Sequence, residues 1–152
     1  MDYRFMMPGE EEAVIALVER VFMASVAPTY EESAVSAFER FSYVEHLRYG
    51  CDGMHSVLVA EEAGVIVGII ELRHWRHIAL FFVDAAWQGK GVGRGLLSYA
   101  IEMCRANDPE LKSLTINASV NSVWASEALG FRWADKERLE NGIRYVPMVL
   151  EL

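Results

Sequence analysis

The chain has 152 residues, 53% of them apolar and 24% charged, enough to bury one core without staples and too apolar for a disordered chain. Fourteen basic against 22 acidic residues leave a net charge of −8, which argues against a nucleic-acid backbone as partner and accords with a neutral or cationic one. Two cysteines, Cys51 and Cys104, with no C-x-x-C and no His/Cys pair at zinc spacing, exclude a disulfide framework and offer no metal site.

In chain order, "YRFMM" at residues 3–7 is a short apolar run stopped by Pro8-Gly9 and reads as a first strand. "EEEAVIALVERVFMAS" follows, with Ala13, Val14, Leu17, Val18, Val21 and Phe22 at helical spacing and acids in the first turn. This N-terminus lacks a basic segment followed by an apolar one, so no signal peptide is expected. No stretch reaches the ~18 to 20 apolar residues of a membrane span. A soluble, cytoplasmic protein with no membrane partner is the expectation. After Pro28 a second, less regular helical stretch is predicted from about residue 30 to residue 49, ending near Gly50.

From Ser56 the pattern becomes that of strands. "SVLVAEE" and "VIVGIIELR" flank Ala63-Gly64, a hairpin signal, and a second hairpin turning at His74-Trp75 leads into "HIALFFV". Next comes "QGKGVGRG", then an amphipathic helix carrying Val92, Leu96, Leu97, Ala100, Ile101 and Cys104 on one face and stopping before Pro109. "SLTINAS" alternates as a strand, and "SVWASEALGF" is a short helix ending at Gly130. Two final strands are predicted at about 132 to 139 and 143 to 151, joined through Asn141-Gly142. The order is β-α-α-β-β-β-α-β-α-β-β in a single domain spanning residues 1–152, with no repeat or linker.

The glycine loop admits three readings. A nucleotide P-loop requires Gly-Lys followed by Ser or Thr, but Lys90 precedes Gly91. A dinucleotide loop requires Gly-x-Gly-x-x-Gly, and the third position is Arg94 or Leu96 depending on the start. What remains is Gln88-Gly89-Lys90-Gly91-Val92-Gly93, a strand-to-helix turn matching Gln/Arg-x-x-Gly-x-Gly/Ala. Glycines let a backbone approach its ligand, and the unsatisfied first amides of the helix with its dipole suit a pyrophosphate without lysine or metal.

With its neighbours, "HIALFFVDAAWQGKGVGRGLLSYAIEMC" resembles the GNAT superfamily of N-acetyltransferases, and "LTINASVNSVWASEALGFRW" is similar to that superfamily's fifth strand and following helix with the Gly130-Phe131 pair. The resemblance implies an α/β (α+β) fold with a mixed, mostly antiparallel sheet of about seven strands, a central splay and helices on both faces. It implies acetyl-CoA as co-substrate, held by the backbones of Gln88, Gly89, Lys90, Gly91, Val92, Gly93 and Arg94. The main chain of Phe81, Phe82 and Val83 would pair with the pantetheine arm as an added strand, and an amide there would stabilise the thioester oxyanion. Asn117, on the same face as Thr115, is a further cofactor-contact candidate; Asn121 reads as a helix-start residue.

Direct attack by an amine asks for a base. Glu71, which interrupts an apolar strand, and His77, which begins the next, are the leading candidates, with Asp84 and His74 behind them. As a purely structural residue, Glu71 would be an edge carboxylate facing water. Whether Glu71 and His77 share a face depends on the hairpin between them. Many superfamily members carry a tyrosine as general acid four residues before the Gly of the Gly-Phe pair; here that position is Ser126, a poorer acid, with Tyr145 a conceivable substitute. Glu31, Glu32 and Glu39 could attract an ammonium, and Phe38, Phe41, Tyr43, Trp75 and Trp124 could shape an acceptor pocket, though core or solvated positions explain most of them. The expected activity is acetyl transfer to a primary amine of a small molecule or peptide, with a CoA-binding sensor of little or no catalysis as the alternative. The resemblance also suggests a homodimer.

Overall fold

Strands of alternating or continuous apolar character wind one sheet, and the computed structural model describes residues 1–26, 28, 54–140 and 142–152 of the chain. Eight strands, β1 (Asp2–Phe5), β2 (His55–Glu62), β3 (Val65–Arg73), β4 (His77–Val83), β5 (Ser113–Ser119), β6 (Arg132–Trp133), β7 (Arg138–Glu140) and β8 (Ile143–Glu151), lie in the order β1-β2-β3-β4-β5-β8-β6, with β7 also paired to β8. All pairings are antiparallel except β4 with β5. Among the described residues the α-helices are α1 (Glu11–Val21), continued by a π-helical turn over Phe22–Val26, then α2 (Val92–Asn107) and α3 (Val123–Ala128). The predicted second helix, with Glu31, Glu32, Glu39, Phe38, Phe41, Tyr43 and Cys51, lies outside the described residues.

Period-two alternation divides the core between two faces. Val57, Val59 and Ile69 pack under Val14, Leu17, Val18 and Val21 of α1. Leu58, Ile70, Leu72, Leu114, Val146 and Met148 pack under Leu96, Leu97, Ala100 and Cys104 of α2. Burial of each such aliphatic side chain contributes about 1.5–3 kcal/mol.

The local signals explain the turns. Ala63 and Gly64 both take positive φ, 50° and 82°, the left-handed pair that matches the strand twist in a tight hairpin. Helix α3 ends in a Schellman cap: Phe131 N–H donates to the Ser126 carbonyl at 3.0 Å and Gly130 N–H to that of Glu127 at 3.0 Å, with Phe131 buried. The Gly-Phe pair is thereby a helix stop with its apolar plug. The strand predicted at 132 to 139 is two short strands instead. Asp135 turns the chain between them, accepting from Lys136 N–H at 2.8 Å and from Arg138 at 2.7 Å, which competes with the ladder.

Gly95 is where β1 meets α2. A Cβ there would overlap the Tyr3 hydroxyl and ring, whereas a Cβ on Gly93 would make ordinary contacts at 3.8 Å with Phe81 and Val83. Gly95→Ala is therefore expected to destabilise by about 1–3 kcal/mol despite alanine's helix preference, while Gly93→Ala leaves the stability read from urea unfolding within about 0.5 kcal/mol of the wild type or raises it. Equal midpoints for the two variants would contradict this packing.

Candidate functional site

Strands β4 and β5 pair over two positions only, His77↔Thr115 and Ile78↔Ile116. Beyond them β4 continues along β3 while β5 continues along β8, through Asn117↔Pro147 to Ser119↔Tyr145. The sheet opens into a wedge with residues 79–83 on one side. A bulge in β4 accompanies the opening: Leu72 faces Ile78 and Glu71 faces Leu80, so Ala79 is the extra residue. It resets the alternation, so that Ile78 packs with the α2 core, Leu80 and Phe82 with the α1 core, and Phe81 and Val83 again with the α2 core.

Backbone directions follow from the ladder. Asp84 N–H donates to the Val67 carbonyl at 2.8 Å, which makes Gly68↔Val83 a non-hydrogen-bonded pair. By alternation the main chain of Phe82 serves β3, whereas that of Phe81 and Val83 points into the wedge. An extended ligand lying there would meet Phe81 and Val83; Phe82 offers it no main-chain group.

The glycine turn stands at the open end of this wedge. Asp84 caps the 3₁₀ turn Ala85–Trp87, accepting from Ala86 N–H at 3.2 Å and pairing with Arg20 of α1 at 2.7 Å. The Arg20 guanidinium holds the Asp84 carboxyl below its ordinary range. Gln88 donates its side-chain N–H to the Val83 carbonyl at 2.9 Å, so its amide group fastens the loop and only its backbone faces outward. Gly91, at φ 85°, is the N-cap of α2 in a conformation that costs other residues roughly 1–2 kcal/mol. It offers no capping side chain, and the first amides of α2 have no acceptor one turn upstream. Together with the dipole, these amides could hold an anion. Lys90 lies over the Trp87 ring, 5.2 Å from its centroid, and Arg94 reaches the Ala128 carbonyl at the end of α3, 3.2 Å away. Arg94 thus links the elements on either side of the wedge.

On the sheet face that carries α1, polar groups gather where β4 and β5 still touch. His77 and Glu71 share this face, because Arg73 registers with His77 and Glu71 lies two residues before Arg73. His77 Nδ1 is 2.8 Å from Thr115 Oγ1, a side-chain bond across the vertex of the wedge. Burial first, and the Arg73 charge second, lower the His77 pKa below its ordinary value, so the ring stays neutral near pH 7. Glu71 is no edge carboxylate facing water. It is 1% exposed and its Oε1 lies 3.2 Å from His55 Nδ1, engaged within the sheet rather than presented to the opening. Asn117 is exposed on the same face as Thr115, away from the α2 core.

Ser126 lies with Val123 on the inward side of α3, buried. Trp124 is 72% exposed on that helix, while Trp75 packs on the core. His74 sits in the hairpin turn at φ 54°, and Tyr145 registers with Ser119 at the far end of β5. Asn121 precedes α3 and accepts from Ser119 Oγ at 3.1 Å. Sequence reading missed His55, Arg73 and Thr115. Only the parity of Thr115 with Asn117 hinted at any of them, since the others depend on which strands become neighbours. Among the described residues no group of three or more metal-ligating side chains forms, and no helix is long and apolar enough to cross a membrane.

A profile of the family described as "Acetyltransferase (GNAT) domain" matches residues 26–152. Among solved structures, the chain is similar to a GCN5-related N-acetyltransferase from Rhodopseudomonas palustris, at 22% identity and TM-score 0.80 over 99% of this chain and 95% of that one. It is similar to PaiA N-acetyltransferase from Thermoplasma acidophilum in complex with coenzyme A, at 17% identity and TM-score 0.81 over 99% and 98%. An aminoglycoside 6'-N-acetyltransferase complexed with coenzyme A aligns over 99% and 97% at 9% identity and TM-score 0.69. No curated protein sequence matches.

Cys104 does not belong to the site chemistry. Burial pushes its thiol up to about 11, leaving almost no thiolate to react at neutral pH. Iodoacetamide at pH 8 is expected to leave Cys104 unmodified in the native protein and to label it in urea, read by peptide mass spectrometry. Rapid native labelling would contradict its enclosure.

Proposed function

The chain belongs to the GNAT acetyltransferase family, and from that premise we propose that it transfers an acetyl group from acetyl-CoA to a primary amine by direct attack, with His77 as the base. The observation that carries this reading is the wedge between β4 and β5, with outward main-chain groups at Phe81 and Val83 and an anion cradle at Gln88–Arg94. A pyrophosphate on the turn and a peptide-like arm along β4 satisfy both sets of groups at once. The CoA complexes of PaiA and of the aminoglycoside enzyme support the same ligand.

His77 is favoured over Glu71 because it stands at the vertex of the wedge, is half-buried rather than enclosed, and is held neutral. With Nδ1–H donating to Thr115 Oγ1, Nε2 keeps its lone pair for the incoming ammonium. The freed amine attacks the thioester carbonyl carbon, the C–N bond forms, the C–S bond breaks, and the nitrogen gives its second proton to solvent. An amide in the wedge, at Phe81 or Val83, stabilises the oxyanion. The departing thiolate takes its proton from water or from the imidazolium, since Ser126 is enclosed in α3. That missing acid favours the second reading, a CoA-binding sensor with little turnover.

A thermal shift tests the ligand. Acetyl-CoA at 100 times its Kd stabilises by about 2.7 kcal/mol, several degrees for a domain of this size, and neither ATP nor NAD is expected to match it. A clear ATP or NAD shift without one for CoA would sink the proposal.

Turnover tests the base. With the ring protonated below its lowered pKa, kcat/KM falls as pH drops through a value under the ordinary ~6.5. His77→Gln removes this acid limb and lowers kcat about 10²-fold or more, with the acetyl-CoA shift retained. A chain that binds CoA but shows no turnover to lose is the sensor.

A further inference from the structure

Arg73 closes β3 on the same face as His77 and is its direct partner in register. Five other arginines, Arg4, Arg20, Arg132, Arg138 and Arg144, each hold a carboxylate. Arg73 holds none among the described residues, and its Nε is buried without a hydrogen-bond partner. A desolvated guanidinium nitrogen with its proton unmatched is costly, and it calls for an anion.

The described ladder neighbours do not supply one. Across β2 the residue opposite is His55, across β4 it is His77, and both are imidazoles. Glu71, two residues back on the same face, directs its carboxylate at His55. Among the described residues the position is thus a positive charge without a counter-ion, beside the proposed base at the vertex of the wedge, in a chain whose net charge is −8. Net charge governs long-range attraction, whereas recognition at this spot is set by the one guanidinium.

We infer that Arg73 binds an anionic group of the acceptor, so that the substrate is a compact amine bearing its own carboxylate or phosphate within a few bonds of the nitrogen. The spacing supports compactness. Directly opposed residues in an antiparallel pair have Cβ atoms about 4.5–5.5 Å apart, so a nitrogen at His77 and an anion at Arg73 belong to one short molecule. The planar fork of arginine fits such an oxyanion with paired hydrogen bonds. This inference rests on the acetyl-transfer reading above.

The test compares matched acceptors: an amino acid, its methyl ester, and an aminoalkylphosphonate of similar length. Release of CoA thiol is followed for the wild type, Arg73→Gln and Arg73→Lys, with the acetyl-CoA thermal shift reporting that each variant is folded. The wild type is expected to prefer a charged acceptor over the ester roughly 10- to 100-fold in kcat/KM, the worth of a charge-assisted hydrogen bond. The better of the carboxylate and the phosphonate identifies the anion. Arg73→Gln brings the ratio near one, chiefly through KM. If Arg73→Gln does not fold, Arg73→Lys carries the comparison, its preference falling several-fold as the fork is lost. A wild type that favours the ester, or variants that keep the full preference, overturn the inference while leaving acetyl transfer standing. Thiol release with no amine overturns both.

Discussion

The short parallel contact between β4 and β5 is the constraint on which the rest of the site depends. Two register pairs and one His77–Thr115 hydrogen bond join halves of a sheet that is otherwise antiparallel. Had the pairing run the length of β4, the amides of Phe81 and Val83 would have been consumed by β5 and nothing would remain to bind. The sheet leaves these groups open at its centre, where open backbone is normally costly, and an extended ligand can stand in for the missing strand.

The bulge at Ala79 is bound up with the same feature. Without it, the residues of β4 after Ile78 would have the opposite parity, with Phe81 and Val83 turned toward α1. With it, Phe81 and Val83 support the first turn of α2, where Gly93 rests on both side chains. The glycine turn is then fastened from three sides: by Gln88 on the Val83 carbonyl, by Asp84 with Arg20, and by Arg94 on α3. None of these exposed polar contacts is worth much alone. Together they fix where the amides of α2 point.

The two faces of the sheet divide the labour. The face under α2 and α3 is apolar and holds the larger core. The face under α1 grades from apolar at Val57, Val59 and Ile69 to polar at His55, Glu71, Arg73, His77 and Thr115. That gradient runs toward the vertex of the wedge. A neutral imidazole beside a guanidinium that holds no carboxylate among the described residues, and beside an engaged carboxylate, is the arrangement on which the proposed base and anion contact rest.

Local patterns are written in consecutive residues, and so they were legible in the sequence. The strand alternation, the helical stripe from Val92 to Cys104, the left-handed turn at Ala63-Gly64 and the glycine turn from Gln88 to Arg94 each depend on neighbours a few positions away. The acetyltransferase family itself was legible in two such blocks. What stayed hidden depends on residues brought together across the sheet. Glu71 read as a candidate base or else a water-facing edge acid because nothing local announces that His55 on the neighbouring strand engages it, and Arg73 drew no notice because having no carboxylate among the described residues is a fact about its surroundings. The splitting of residues 132–139 into β6 and β7 turned on Asp135 competing for backbone that a strand pattern assigns to the ladder. The sequence determined which segments are helix, strand and glycine turn, because those obey short-range sterics and hydrogen bonding. Only the tertiary structure decided that β4 and β5 part after two residues and that His77 meets Thr115 and Arg73 there, because register and burial arise between segments far apart in the chain.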